Sequence, residues 1–479
     1  MTKLCKWAAR FEALLRRGLA AVVSSEGLYL TLTVLFYGVL NTDVFMSRND
    51  IISPLREYMM LPWAGALLAF WLAREKKNSG ADTRMLLLLV LWLAVPFIMR
   101  FGTEFFTIQA VYSYTLSFVV FYISVRESDA QRRARQLDIA CAGFGLLSIL
   151  LGGALLYCAA TGKTYCSYWD TEYFGVVNGQ LQHATHYNGT AMLGIVCMLM
   201  CLVGLCRSRK KLLSAYYLLG MVLMALVVVL TQSRTARYAM LAVFAIGTWN
   251  GLAAYLPIRK GLLRHGAALV CAAVVLVGGY QLCGWITNAA LAHYAGQPSQ
   301  VLEAMLPSAV AEEEAEEWEE AAVPMEARSQ IGDASFSDRT NIWKNVINLW
   351  RENPKYMLIG NGASRTQWLI HHGTIHEERG MIAVHNAYLH FAAEFGWIGF
   401  GILAAFAVMI LPPVLRVFFA RGERRMPGGC ALCMLVLAIL ATGMMESAPL
   451  DVLTPMSLTL FFALAQLAAA GREMKKQKA

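Results

Sequence analysis

The chain has 479 residues, of which 57% are hydrophobic and only 15% charged, and its mean hydropathy is +0.49. Soluble domains carry about 25% charged residues, so this composition excludes a soluble globular protein and requires several membrane-spanning segments. A net charge of +9 suits nucleic acid in a soluble protein, but in a polytopic one it reflects lysines and arginines gathered in cytoplasmic loops.

In chain order, the N-terminal stretch MTKLCKWAARFEALLRRGLAAV is basic and lacks a cleavage-site pattern, which predicts an amphipathic helix on the inner membrane surface. Apolar runs of about 17–25 residues are long enough to cross a bilayer. Twelve candidates follow, at roughly 25–45, 57–73, 85–99, 105–124, 137–160, 189–206, 212–231, 236–256, 264–287, 396–418, 429–446 and 452–470, with the third the shortest. No internal repeat is evident.

Basic residues orient these spans. With the N-terminus inside, the seven inside segments carry five, four, four, four, three, four and four Lys+Arg, or 28 of 41. The short outside loops hold six: Arg48, Arg56, Arg100, Lys163, Arg234 and Arg237. This alternation follows the positive-inside rule and predicts both termini in the cytoplasm. The expected organisation is an N-terminal bundle of about nine spans over 1–287, an extracytoplasmic loop over 288–395, and three C-terminal spans with a cytoplasmic tail over 396–479.

The long loop begins with a Glu-rich run, AEEEAEEWEE, read as a solvated helix or tether. Beyond it, Ile342, Trp343, Val346, Ile347 and Trp350 make one apolar helical face, with Ser337 or Asp338 as start and Pro354 as stop. This helix is expected on the outer membrane surface or against the bundle, and IGNGAS after it reads as a turn.

Some residues break the pattern. Arg234 and Arg237, in TQSRTARYAM, occupy a very short outer loop between apolar spans. They either snorkel to lipid headgroups or form an anion site, since guanidinium forks bind phosphate bidentately and stay charged. Arg339 on the amphipathic helix offers a third fork. His385 and Asn386 close the long loop just before a span; a histidine there is structural, or a base able to take a proton near neutral pH. His183, His186 and Asn188, in QHATHYNGTAM, end another outer loop. Polar residues thus recur at the outer ends of several spans, as around an outward-opening cavity. His371, His372 and His376 in HHGTIH have metal-compatible spacing but no carboxylate or cysteine at a fitting offset. Cys430 and Cys433 in CALC lack a second pair, so no metal is expected. A Cys158–Cys166 disulfide is open.

Four pieces in order resemble the O-antigen ligase and O-antigen polymerase superfamily of bacterial membrane glycosyltransferases: HYNGTAMLG, SRTARYAM, DRTNIWKNVINLWRENPKYMLIGNG and HNAYLHFAAEFG. The last fits the ligase pattern His-Asn-x-x-Leu with a glycine seven residues on, at His385, Asn386, Leu389 and Gly396. The resemblance covers about 180–415 in detail. It implies an all-α integral membrane protein, a GT-C-like bundle of about twelve transmembrane helices with one large extracytoplasmic loop between the ninth and tenth spans. It also implies transfer of a glycan from undecaprenyl diphosphate to an acceptor hydroxyl outside the cell membrane, with inversion, and with no metal, nucleotide or other cofactor. The partners implied are the lipid-linked donor, a glycan, lipid or protein acceptor, and membrane lipids, with no nucleic acid. In this reading His385 is the base or orients the acceptor. Arg234 and Arg339 hold the diphosphate with Arg237 as helper, and Asn386, Asn188 and His186 contact sugar or orient other groups.

The pattern His-Asn-x-x-Leu leans toward a ligase; a polymerase differs only in acceptor. Twelve spans also suit a lipid-linked glycan transporter, but that function calls for ionisable or broken-helix features near mid-membrane, whereas these spans are nearly uncharged and their polar residues gather on one face.

Overall fold

The computed structural model describes residues 17–40, 59–60, 62–71, 87, 90–91, 94, 120–127, 129–166, 173–177, 179–184, 187–256, 261–295, 300–303, 331–360, 384–422, 425–446 and 454–477. The chain opens with α1 (Arg17–Val23) and α2 (Glu26–Val39), bent by 62° at Ser24–Ser25. The Ser25 hydroxyl caps α2 by accepting from the Leu28 amide, and the last turn, Leu35–Val39, is π-wound. A short apolar helix, α3 (Pro62–Trp71), follows. The long α4 (Ala130–Thr161) starts where the Asp129 carboxylate accepts from the Gln131 and Arg132 amides and stops at left-handed Gly162.

Three strands come next: β1 (Lys163–Cys166), β2 (Tyr173–Val177) and β3 (Gln180–Ala184). Then come α5 (Tyr187–Arg207), α6 (Lys211–Leu230), α7 (Arg234–Tyr255) and α8 (Gly261–Ala295). The strand β4 (Gln300–Glu303) precedes α9 (Ile331–Glu352) and α10 (Pro354–Ile359). The chain finishes with α11 (Ala387–Phe418), α12 (Gly429–Thr442) and α13 (Pro455–Lys476).

The core is a helical bundle around α5, whose most apolar window is 78% buried. It packs against α4, α6 and α12, and α13 is buried along most of its length. By contrast only 17% of the corresponding window of α8 is buried, and Leu269, Val270, Val274, Val277 and Trp285 point outward. So large an apolar face is stable only against lipid or another apolar surface. Among the described residues, five helices are long and apolar enough to cross a membrane (α4, α5, α6, α8 and α11), and α1 with α2 makes a sixth if taken as one bent span. The 22-residue α7 and α13 are long enough but more polar, through Arg234, Arg237 and Asn250 in one and Gln466 and a basic end in the other. The chain is therefore a multi-pass helical membrane protein. Most of the expected span at 85–99 and most of that at 105–124 lie outside the described residues, as does the Glu-rich run.

One expectation is corrected. The protein is not all-α: a four-stranded sheet in the order β3-β2-β1-β4 covers one end of the bundle, antiparallel except for the parallel β1–β4 pair. Val177 pairs with Gln180 across Asn178-Gly179, and Asn-Gly between alternating residues is the strongest short hairpin signal. The restriction to helices applies only to backbone exposed to lipid, so a segment outside the spans is free to pair as strands. The disulfide left open by the sequence is not formed: Cys158 is a buried free thiol.

The two ends of the bundle differ in chemistry. At one end Arg207 pairs with Asp138 at 2.6 Å, Arg133 pairs with Glu473, and Arg472 donates to the Val125 carbonyl at 3.1 Å. These contacts tie the start of α4 to the ends of α5 and α13. The sheet, the start of α5 and the end of α12 lie at the other end, where the site is built.

Candidate functional site

Three residues far apart in sequence meet on the carboxylate of a fourth. Glu446 lies just past the C-terminus of α12, its amide bonded to the Thr442 carbonyl at 3.0 Å. Its Oε1 accepts from Asn188 Nδ2 at 2.6 Å and from Arg339 Nη2 at 3.3 Å, while its Oε2 lies 3.2 Å from His385 Nδ1. The carboxylate side chain is only 9% exposed, against 17% for Arg339 and 20% for His385.

Each partner is set by local structure. Asn188 sits in the first turn of α5, which the Thr190 hydroxyl fastens to β3 by accepting from the His183 amide at 2.8 Å. Arg339 projects from α9, whose Ile342, Val346 and Trp350 form one buried face with Trp343 packed beside them, while Ile347, expected on that face, is exposed. On the next turn the Trp343 indole donates to the Val384 carbonyl at 2.9 Å, which holds the stretch entering α11. His385 then adopts a left-handed backbone, φ +52°, uncommon for a residue with a β-carbon. Asn386 follows as the N-cap of α11, its Oδ1 accepting from the Tyr388 and Leu389 amides at 3.1 and 3.0 Å. The Ala387 amide bonds to the Gly443 carbonyl at 2.8 Å, and the Tyr388 hydroxyl to that of Leu440 at 2.7 Å. His385 is thus clamped between α9 and the end of α12, with its imidazole turned onto Glu446.

A carboxylate only accepts, so the contact assigns the Nδ1 proton to His385 and makes Nε2 the basic nitrogen. That arrangement fixes the orientation of the imidazole by the carboxylate. His183 behaves differently: burial pushes its imidazole down to about 4, so it stays neutral at pH 7 and belongs to the packing beneath the sheet.

The arginines of TQSRTARYAM divide. Ser233 caps α7 by accepting from the Ala236 amide, and the preceding Gln232 donates through Nε2 to the Gly179 carbonyl at 2.6 Å, fastening this turn to the β2–β3 hairpin. Arg234, the first residue of α7, is exposed and makes no hydrogen bond or ion pair among the described residues. Arg237 turns inward instead, donating to Thr287 Oγ1 at 3.1 Å and the Val229 carbonyl at 3.4 Å. Its guanidinium braces α7 against α8 and the end of α6. Asn386 likewise spends its side-chain oxygen on the helix cap. His186, His371, His372 and His376 lie outside the described residues.

Glu446 was not among the residues singled out in the sequence. A signal was present: in TGMMESAPL it is an acidic side chain at the end of an otherwise uncharged apolar run, a charge at a span end as Arg234 is. Only the fold shows that it faces Asn188, Arg339 and His385.

A comparison with curated proteins finds no match. A protein-family model described as O-antigen ligase matches residues 219–404, a stretch that contains Arg234, Arg237, Arg339, His385 and Asn386 and leaves Asn188 and Glu446 outside it. Residues 219–404 are thus similar to the O-antigen ligase family, which implies a membrane glycosyltransferase of the ligase or polymerase type.

Proposed function

We propose that the protein transfers a glycan from an undecaprenyl-diphosphate carrier to an acceptor hydroxyl at the outer face of the bacterial cell membrane, as a ligase, with both of its termini in the cytoplasm. The observation that carries this reading is the placement of His385 Nδ1 and Arg339 on one buried carboxylate, which sets a base beside a cation. The acceptor hydroxyl is a weak nucleophile. His385 Nε2 takes its proton as the oxygen attacks the anomeric carbon, and the bond from that carbon to the diphosphate oxygen breaks with its electron pair going to the diphosphate. Displacement from the opposite side inverts the anomeric centre. Negative charge grows on the leaving diphosphate, and Arg339 and Arg234 stabilise it; preorganised cations at a water-poor edge lower such a barrier strongly. The activated glycosyl–phosphate bond supplies the driving force.

The test is a glycan profile. The gene is deleted and complemented with wild type or His385→Ala at equal expression, and surface and carrier-linked glycans are resolved by size. Loss of a general base costs about 10²–10⁴-fold in rate, so the variant should strand long chains on the carrier. Single repeats on the carrier with no ladder would identify a polymerase instead. An unchanged profile would remove His385 from the chemistry.

A further inference from the structure

We propose that Glu446 is a positioning residue that hands Arg339 to the incoming diphosphate while keeping hold of His385. The inference rests on the glycosyl-transfer reading above and extends it to how Arg339 and His385 respond to donor binding.

The geometry is that of a shared acceptor. Glu446 Oε1 serves two donors, the Asn188 amide at 2.6 Å and Arg339 Nη2 at 3.3 Å, and Oε2 serves His385 Nδ1 at 3.2 Å. The Arg339 contact is the longer of the two on Oε1 and uses a single guanidinium nitrogen. A diphosphate offers more negative charge and a bidentate match for the planar fork, so it outcompetes a monodentate carboxylate. Arg339 can leave without stranding Glu446, because the shorter Asn188 bond stays on the same oxygen and the Thr442 carbonyl still fixes the backbone.

The consequence for His385 is positional. When Arg339 moves to the diphosphate, Glu446 keeps Asn188 on Oε1 and the His385 ring on Oε2, so the imidazole holds its place while the arginine changes partner.

The experiment uses the full-length protein in lipid nanodiscs, with geranyl diphosphate as a short soluble probe in calorimetry and a carrier-linked glycan in transfer assays. Glu446→Gln keeps the shape and removes the charge. Geranyl diphosphate should bind about tenfold more tightly, because Arg339 no longer has a competing carboxylate. Transfer should slow at least tenfold, with KM for the donor unchanged or lower. A purely structural role would weaken binding and activity together. Unchanged or weaker binding of geranyl diphosphate, or a donor KM that rises as kcat falls, overturns the proposal. Tighter binding by the variant with no glycan transfer even by wild type would instead sink the glycosyl-transfer reading and leave the handover standing. If the variant does not fold, a structure of the wild type with geranyl diphosphate decides. Arg339 should lie on phosphate and off Glu446, with His385 still on the carboxylate. An intact Arg339–Glu446 pair beside bound diphosphate would overturn the handover.

Discussion

At the scale of single residues, Asn386 separates two uses of one side chain. Its oxygen caps α11 through the Tyr388 and Leu389 amides, so only its amide nitrogen remains to meet a sugar. Aspartate caps as well as asparagine, whereas alanine does not and costs about 1 kcal/mol. Asn386→Asp should therefore keep the local stability of 387–395 and Asn386→Ala should lose about 1 kcal/mol of it, read by hydrogen exchange of the Tyr388 and Leu389 amides. Equal exchange in the two variants would show that the cap contributes nothing. Comparing their transfer rates then isolates the amide nitrogen: a rate lost in both assigns it to substrate. His385 is the companion case, because its left-handed backbone is held by contacts on both sides of it, from Trp343 to Val384 and from Ala387 to Gly443.

At the scale of elements, α11 is two helices joined at a break. Gly396, with φ +65° and ψ −176°, is non-helical, in a region of backbone space essentially reserved for glycine. It also meets Gly360, φ +75°, at the end of α10. A β-carbon on Gly396 would come within 2.3 Å of the Gly360 nitrogen and 2.4 Å of the Leu358 carbonyl oxygen. The backbone crossing lets the buried piece 387–395 turn away from the rest of α11, and so sets where His385 and Asn386 begin it. The expected span start at 396 coincides with this break. Gly396→Ala combines a forbidden conformation with a backbone clash and should destabilise by on the order of 3 kcal/mol, with a clear drop in thermal midpoint in detergent. A midpoint within a degree of wild type would show that the crossing can open at little cost.

At the scale of the whole molecule, the bundle has two chemically distinct ends. Arg133, Asp138, Arg207 and Glu473 are tied together at one end, and Asn188, Arg339, His385 and Glu446 at the other. The orientation we propose puts the first end in the cytoplasm, on the charge count and the positive-inside rule. Cysteine labelling in intact cells checks this, with modified peptides assigned by mass. The exposed native Cys206, at the end of α5, should react only after permeabilisation, and Gln180→Cys on β3 should react from outside. The reverse pattern would put the candidate site in the cytoplasm, away from any donor held on the outer leaflet.

Hydropathy, basic-residue alternation and the apolar face of α9 were legible because each is a local periodicity that burial or lipid enforces on a single segment. The motif glycine at Gly396 and the arginines of TQSRTARYAM could be picked out for the same reason: each is unusual against its immediate neighbours. The β2–β3 hairpin was also written locally, in Asn178-Gly179, but hydropathy reads only the spans and passes over it. The pairing of β1 with β4, more than a hundred residues apart, has no local sign. The same holds for the site. Sequence alone singled out Asn188 and His385 as polar residues at the ends of apolar segments and Arg339 as a cation on the amphipathic helix, and only the packing of α5, α9, α11 and α12 decided that they share Glu446. A carboxylate's partners are set by where four separate backbones converge, and no periodicity within one segment carries that information.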